Sequence, residues 1–79
     1  MLPAYVLVQT EVGMAVGVAA QLARIPGVVS AEVTAGPYDV IARAESANLD
    51  ELGRLVVANI QRAEGVTRTL TCPVVVLGS

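Results

Sequence analysis

Residues able to carry covalent or acid–base chemistry are few in this chain. There is no histidine and one cysteine, Cys72, so no imidazole stands ready to activate a thiol. An intrachain disulfide and a zinc or copper cluster both lack the residues they need, and Cys72 reads as a small buried side chain rather than a nucleophile. Among the seven acids, Glu11, Asp50 and Glu51 fall where helices should begin and read as N-terminal charges, with Arg24 and Arg62 complementing the opposite ends. Asp39 lies instead in the turn Gly36-Pro37-Tyr38-Asp39, where a carboxylate can hydrogen-bond the turn's own backbone. Thr34, Thr69 and Thr71 offer hydroxyls, although strand propensity alone accounts for them. General acid–base catalysis therefore has too few groups away from helix ends, and no catalytic residue, metal or cofactor is expected.

Other partners are excluded on similar grounds. The chain has no phenylalanine, no tryptophan and only two tyrosines, so it has little to stack on nucleobases; its five cations are scattered arginines and its net charge is −2. No direct nucleic-acid binding is expected. Polar residues interrupt every apolar run well short of a membrane span, and no basic segment precedes a hydrophobic one at the N-terminus. A cytoplasmic location without membrane contact follows as the expectation, and the lone cysteine fits a reducing compartment.

The elements that must position these residues show a repeat. Ile25-Pro26-Gly27-Val28 and Ala63-Glu64-Gly65-Val66 each close a helix-like stretch, turn on glycine and open a β-branched run, and the glycines are thirty-eight positions apart. That offset is the length of one strand–helix–strand unit. The first strand, Ala4 to Thr10, is apolar on both faces. Thr10-Glu11 offers a helix cap, after which Met14, Val18, Leu22 and Ile25 recur at helical spacing. Val28 to Ala35 alternates, which predicts a buried face of Val29, Ala31 and Val33 opposite Ser30, Glu32 and Thr34. Gly36-Pro37 turns the chain into an antiparallel partner, Tyr38 to Ala44.

Asn48 and Glu51 resemble a capping box ahead of a second helix whose buried face is Leu49, Leu52, Val56, Ile60 and Ala63. Gly53 inside it costs about 1 kcal/mol relative to alanine, which a close approach to a strand would justify. The last strand is expected from Val66 to Leu77, with Pro73 confining it to a sheet edge or a bulge. The order β-α-β-β-α-β with right-handed crossovers gives a ferredoxin-like α+β fold: a four-stranded antiparallel sheet with both helices on one face, in a single domain spanning 1–79. Tyr5, Leu7, Val74 and Val76 then leave an apolar open face, and a second copy packed sheet to sheet is the simplest cover.

Gly36-Pro37-Tyr38-Asp39-Val40, followed by Gly65-Val66-Thr67-Arg68-Thr69-Leu70-Thr71, resembles the effector-binding and oligomerisation (RAM) domain of Lrp/AsnC transcription regulators over nearly the whole chain. Full regulators carry a helix-turn-helix domain upstream, whereas Met1 lies three residues before the first strand here, so a stand-alone domain without DNA-binding part is expected. The resemblance implies dimers assembled further, often into an octamer as a tetramer of dimers, with a small effector, commonly an amino acid, held between dimers near the aspartate turn. An amino acid needs an acceptor for its ammonium group and donors for its carboxylate. Asp39 suits the first role, Gly36 permits close backbone approach, and Thr34, Tyr38, Thr69 and Thr71 complete the candidate set. Turn formation by Gly36-Pro37, backbone bonding by Asp39 and interface packing by Tyr38 remain open alternatives for the same residues.

Two other classes use such a chain. A structural partner co-assembling with full-length Lrp/AsnC regulators needs no ligand. A small dimeric ferredoxin-like enzyme is disfavoured by the missing histidine, and a metal chaperone by the absence of paired cysteines in the first loop.

Overall fold

Gly27 and Gly65 both adopt left-handed backbone, with φ of 100° and 97°, so the repeated turn seen in the sequence is repeated in conformation. A computed structural model of the chain describes residues 1–77. Its elements are β1 (Leu2–Thr10), α1 (Ala15–Ala23), β2 (Val28–Val33), β3 (Val40–Ser46), α2 (Leu49–Leu55), a π-helical turn that continues α2 over Val56–Ile60, and β4 (Val66–Pro73). The strands form one antiparallel sheet in the order β2-β3-β1-β4. This is the ferredoxin-like βαββαβ arrangement.

Strand alternation places Ala4, Val6 and Val8 of β1 and Val40, Ala42 and Ala44 of β3 on one face, all fully buried. Val18 and Leu22 of α1, Leu52 of α2, and Val56 and Ile60 of the π turn close the same core, so both helices cover that face. Burying each such valine, leucine or isoleucine contributes about 1.5–3 kcal/mol. Small side chains in the sheet let the helices lie close to it. At the turn before β4, a Cβ on Gly65 would sit 2.8 Å from the end of the Met14 side chain and 3.1 Å from Val18 Cγ2.

Several local expectations are corrected. Thr10 does not cap α1. It ends β1, its hydroxyl donates to Glu11 O at 3.1 Å, and α1 begins only at Ala15, with Met14 as an N-cap lacking a side-chain bond. Gly13, at φ 80°, turns the chain between them, so Glu11 stands outside the helix. The second strand loses its expected alternation because the pairing shifts between Val28 and Ser30. Val28 and Ala31 pack on the core and Val29 is 58% exposed at the shift, whereas Val33 stays opposite buried Val40 but is 50% exposed at the end of the edge strand β2. The third strand starts at Val40 rather than Tyr38, and Thr34 to Asp39 form an open loop between β2 and β3 in place of a tight turn.

Asn48 does cap α2, its Oδ1 accepting from Glu51 N–H at 2.9 Å, with Asp50 and Glu51 in the first turn. Leu49 is nonetheless 64% exposed, because it sits at the helix start beyond the sheet's cover. Gly53 approaches no strand: a Cβ there would meet nothing within 4 Å. Gln61 N–H bonds Val56 O at 2.8 Å, the wide i to i+5 spacing of the π turn.

Pro73 lies on β4 at the sheet edge, as its missing N–H demands, but the strand ends there. Val74 keeps one backbone bond, to Pro3 O at 2.9 Å, and Val76 lies outside the sheet. The open face is therefore built from Tyr5, Leu7, Ile41 and Leu70 rather than from Val74 and Val76. Leu7 stands opposite Ile41 on one side and Leu70 on the other. Tyr5 likewise stands between Arg43 and Cys72. Cys72 is exposed on this face, not buried. Arg43 Nη1 donates to Tyr5 Oη at 2.9 Å, and its guanidinium lies 5.4 Å from the Tyr5 ring centroid.

Candidate functional site

The last residues of β1 gather the two sequence motifs. Asp39, at the end of the β2–β3 loop, donates its N–H to Val8 O at 2.9 Å, and its carboxylate Oδ2 accepts from Thr10 N–H at 2.8 Å. Gln9 Nε2 donates to Pro37 O at 3.0 Å. On the opposite side of β1, Thr67 Oγ1 donates to Gln9 O at 3.1 Å and Glu11 N–H donates to Gly65 O at 2.9 Å. Residues 9–11 thus hold the Gly36 loop with one side and the Gly65 turn with the other. A pairing shift between Gln9 and Thr10 accompanies the join, which re-aims the backbone where the β1 ladder ends.

The loop is also braced from within. Thr34 N–H donates to Asp39 O at 2.9 Å, and Thr34 Oγ1 donates to Tyr38 O at 2.7 Å. Tyr38 and Asp39 are half-buried, whereas Gly36 and Pro37 are exposed. Since a Cβ at Gly36 would meet nothing within 4 Å, nothing in its own chain approaches that backbone closely. One carboxylate oxygen of Asp39 serves the fold. Among the described residues the other, Oδ1, has no hydrogen-bond partner, which leaves an acceptor at the edge of an open loop.

The six candidate residues do not form one cluster. Thr34, Gly36, Tyr38 and Asp39 share the loop, but Thr69 and Thr71 lie on β4, beyond β1. Thr69 pairs with Val8, which pairs with Val40, so Thr69 is two strand spacings, about 10 Å, from the loop's end. Both threonines point to the helix side of the sheet, as their partners Val8 and Val6 do. Thr69 Oγ1 accepts from Gln61 Nε2 at 2.9 Å, beside a polar hollow of about 400 Å³ that Thr67 and Arg68 also line. Thr71 borders a separate, apolar hollow between α2 and β4.

Sequence reasoning missed Gln9, Thr10 and Thr67 as the residues that join the motifs. Gln9 and Thr67 are polar residues flanking strand ends, a weak signal, and Thr10 takes part through its backbone N–H, which no residue type reveals. No group of His, Cys, Asp and Glu among the described residues is placed to hold a metal ion.

Known proteins share this fold. A family model described as the Lrp/AsnC ligand binding domain matches residues 3–76. An uncharacterized HTH-type transcriptional regulator of Pyrococcus horikoshii is 39% identical over 54 residues, covering 68% of this chain; the match spans only 36% of that regulator. Among solved structures, TTHA0845 from Thermus thermophilus is 28% identical with a TM-score of 0.91, covering 100% of this chain and 99% of that one. The regulator NMB0573 of Neisseria meningitidis, solved as an L-Met complex, shares the fold at 20% identity with a TM-score of 0.83, over 96% of this chain and 51% of that one. The family is one of ligand-binding domains of transcription regulators, not of enzymes. With its match spanning both the loop and the Gly65 turn, the chain belongs to the Lrp/AsnC ligand-binding domain family.

Proposed function

We propose that this chain is a small-molecule effector-binding and oligomerisation module, that its effector is an amino acid, and that the ligand sits at the Gly36–Asp39 loop against a neighbouring copy. The observation that carries this reading is the divided carboxylate of Asp39. Oδ2 is fixed by Thr10 N–H, which holds the group in place, while Oδ1 is free to accept from an ammonium group. The exposed Gly36-Pro37 edge gives a second copy room to close the site from outside. Family membership supports a ligand, and the L-Met in the Neisseria regulator's structure supports an amino acid as its class.

Assembly is part of the same reading. Tyr5 and Leu70 are 42% and 49% exposed on the sheet's open face, and a second copy packed there by a two-fold axis covers both. Thr69 and Thr71 lie too far from Asp39 to touch the same small ligand within one chain, so they join the site only from a neighbouring copy. Bound effector then shifts the assembly equilibrium by its differential affinity for the two states. The relatives' description as transcriptional regulators supports a cytoplasmic setting. No helix among the described residues is long and apolar enough to cross a membrane.

The test is sedimentation velocity of the purified chain, alone and with single amino acids. A dimer or larger particle whose distribution shifts with one amino acid is the expected result. A distribution indifferent to all of them removes the effector reading. A second reading, co-assembly with full-length regulators, is favoured by the match of this chain to about a third of such a regulator, and it predicts a mixed particle on co-expression whatever the amino acid present.

A further inference from the structure

Gly53 has no packing reason inside its own chain. It occupies the interior of α2, where glycine is among the least favourable residues, yet the space above it is open. That space belongs to an apolar hollow of about 400 Å³ between α2 and β4, bordered by Leu49, Val57, Thr71 and Pro73 among others. Leu49 and Val57 are 64% and 62% exposed at its rim. β4 is the outermost strand on this side, so the groove also runs along a sheet edge with no neighbouring strand.

A segment of matching chemistry starts at the same rim. After Pro73 come Val74-Val75-Val76-Leu77, three of them β-branched. Val74 N–H is held by Pro3 O, which keeps that residue in line with β4, and the next three are 76%, 78% and 87% exposed. Such a run favours extended pairing and apolar contact, and beyond Val74 it stays exposed. It does not reach its own groove, because reversing the chain takes about four residues and would use up the whole run.

We infer that residues Val74–Leu77 of one copy dock in the α2–β4 groove of a second copy, along the outer edge of β4 and with alternate side chains over Gly53. The absence of a side chain at Gly53 makes the depth that an incoming valine or leucine fills. Each copy carries both segment and groove, so the exchange is reciprocal. This contact rests on the oligomerisation part of the proposed function and adds a surface distinct from the open sheet face.

The experiment uses full-length chains in a Cys72→Ser background. One carries Val57→Cys and the other Val76→Cys; they bear different tags and are co-expressed, then oxidised. The expected product is a disulfide-linked pair of differently tagged chains, and adding Gly53→Leu to the groove chain should lower its yield by about tenfold or more. Gly53→Leu should simultaneously raise the thermal midpoint, since leucine is the better helix former, so lost cross-linking is not lost folding. No mixed disulfide, or a yield indifferent to Gly53→Leu, overturns the contact. Sedimentation of the same sample separates the two ideas: association that responds to an amino acid without the cross-link leaves the effector reading standing and removes only this groove.

Discussion

Asp39 Oδ2 accepts the backbone N–H of Thr10 at 2.8 Å across 29 positions of sequence. The bond joins the β2–β3 loop to the end of a strand that is central in the sheet. A loop with an exposed glycine and proline is thereby held at a fixed height above the sheet. Thr10 N–H would otherwise be a half-buried donor where the β1 ladder loses its regular pairing. The hydrogen bond to backbone and the proposed bond to a ligand are compatible, because they use different oxygens of one carboxylate.

That division gives the first prediction. Asp39→Ala removes the acceptor and leaves Thr10 N–H unpaired, so the fold should lose about 1–3 kcal/mol in urea unfolding. Asp39→Asn keeps an oxygen for Thr10 and should cost less than half as much. Calorimetry on the folded Asn variant should nonetheless show amino-acid binding clearly weakened, since the charge facing an ammonium is gone although the Thr10 bond is kept. Binding by Asp39→Asn equal to that of the parent chain would take Asp39 out of the ligand site.

The glycines give a second prediction with opposite signs at two positions. Gly65→Ala places a Cβ 2.8 Å from Met14 Cε at φ 97°, so both the backbone and the contact with α1 are strained. Its cost should exceed about 1 kcal/mol. Gly53→Ala meets no atom within 4 Å on an ordinary helical backbone and should stabilise by roughly 0.5–1 kcal/mol. Chemical denaturation of the two variants side by side checks the contrast. Equal effects would mean that the left-handed turn at Gly65 does not set its close contact with Met14 and Val18.

These two glycines also mark what the sequence could and could not disclose. The doubled Gly27 and Gly65 turns made the βαββαβ order legible, because a left-handed position between a helical stretch and a β-branched run has few other uses. Pro73 correctly placed β4 at an edge for the same kind of local reason. Gly53 carried no such information, since a glycine required by a close contact and one that faces empty space look alike in sequence. The shifted pairing at Val29 was equally hidden: alternation predicts which side a residue faces only while the register holds, and one extra residue in β2 exposed Val29. At the candidate site the loop residues could be named from their types, but the partners Thr10 and Gly65 act through backbone atoms and so leave no mark in composition.

Thr69 supplies a third prediction. Within one chain it is separated from Asp39 by β1 and bonds Gln61 on the helix side. If both residues meet the same ligand, they do so from different copies. In a double-mutant cycle of Asp39→Asn and Thr69→Val, measured on the dimer below the concentration of further assembly, the effects on amino-acid affinity should add within about 0.5 kcal/mol. Coupling beyond that should emerge only where larger particles form. Strong coupling in isolated dimers would mean that the dimer partner already supplies Thr69, so that the site closes within a dimer rather than between dimers.

The fourth prediction concerns the open sheet face. Ile41, Leu7 and Leu70 form an apolar row across β3, β1 and β4, beside the pair of Arg43 and Tyr5. Leu70 is 49% exposed, so Leu70→Asp removes little from the core of a single copy. In a dimer packed through this face, the same change buries a carboxylate against apolar side chains in both copies. The variant should sediment as a folded monomer with unchanged circular dichroism at low temperature. Dimer formation makes the thermal midpoint of the parent chain rise with protein concentration, whereas the midpoint of Leu70→Asp should not move. A variant that still dimerises with the parent's concentration dependence would show that the chain associates through some other surface, and that the apolar row of Ile41, Leu7 and Leu70 remains in water.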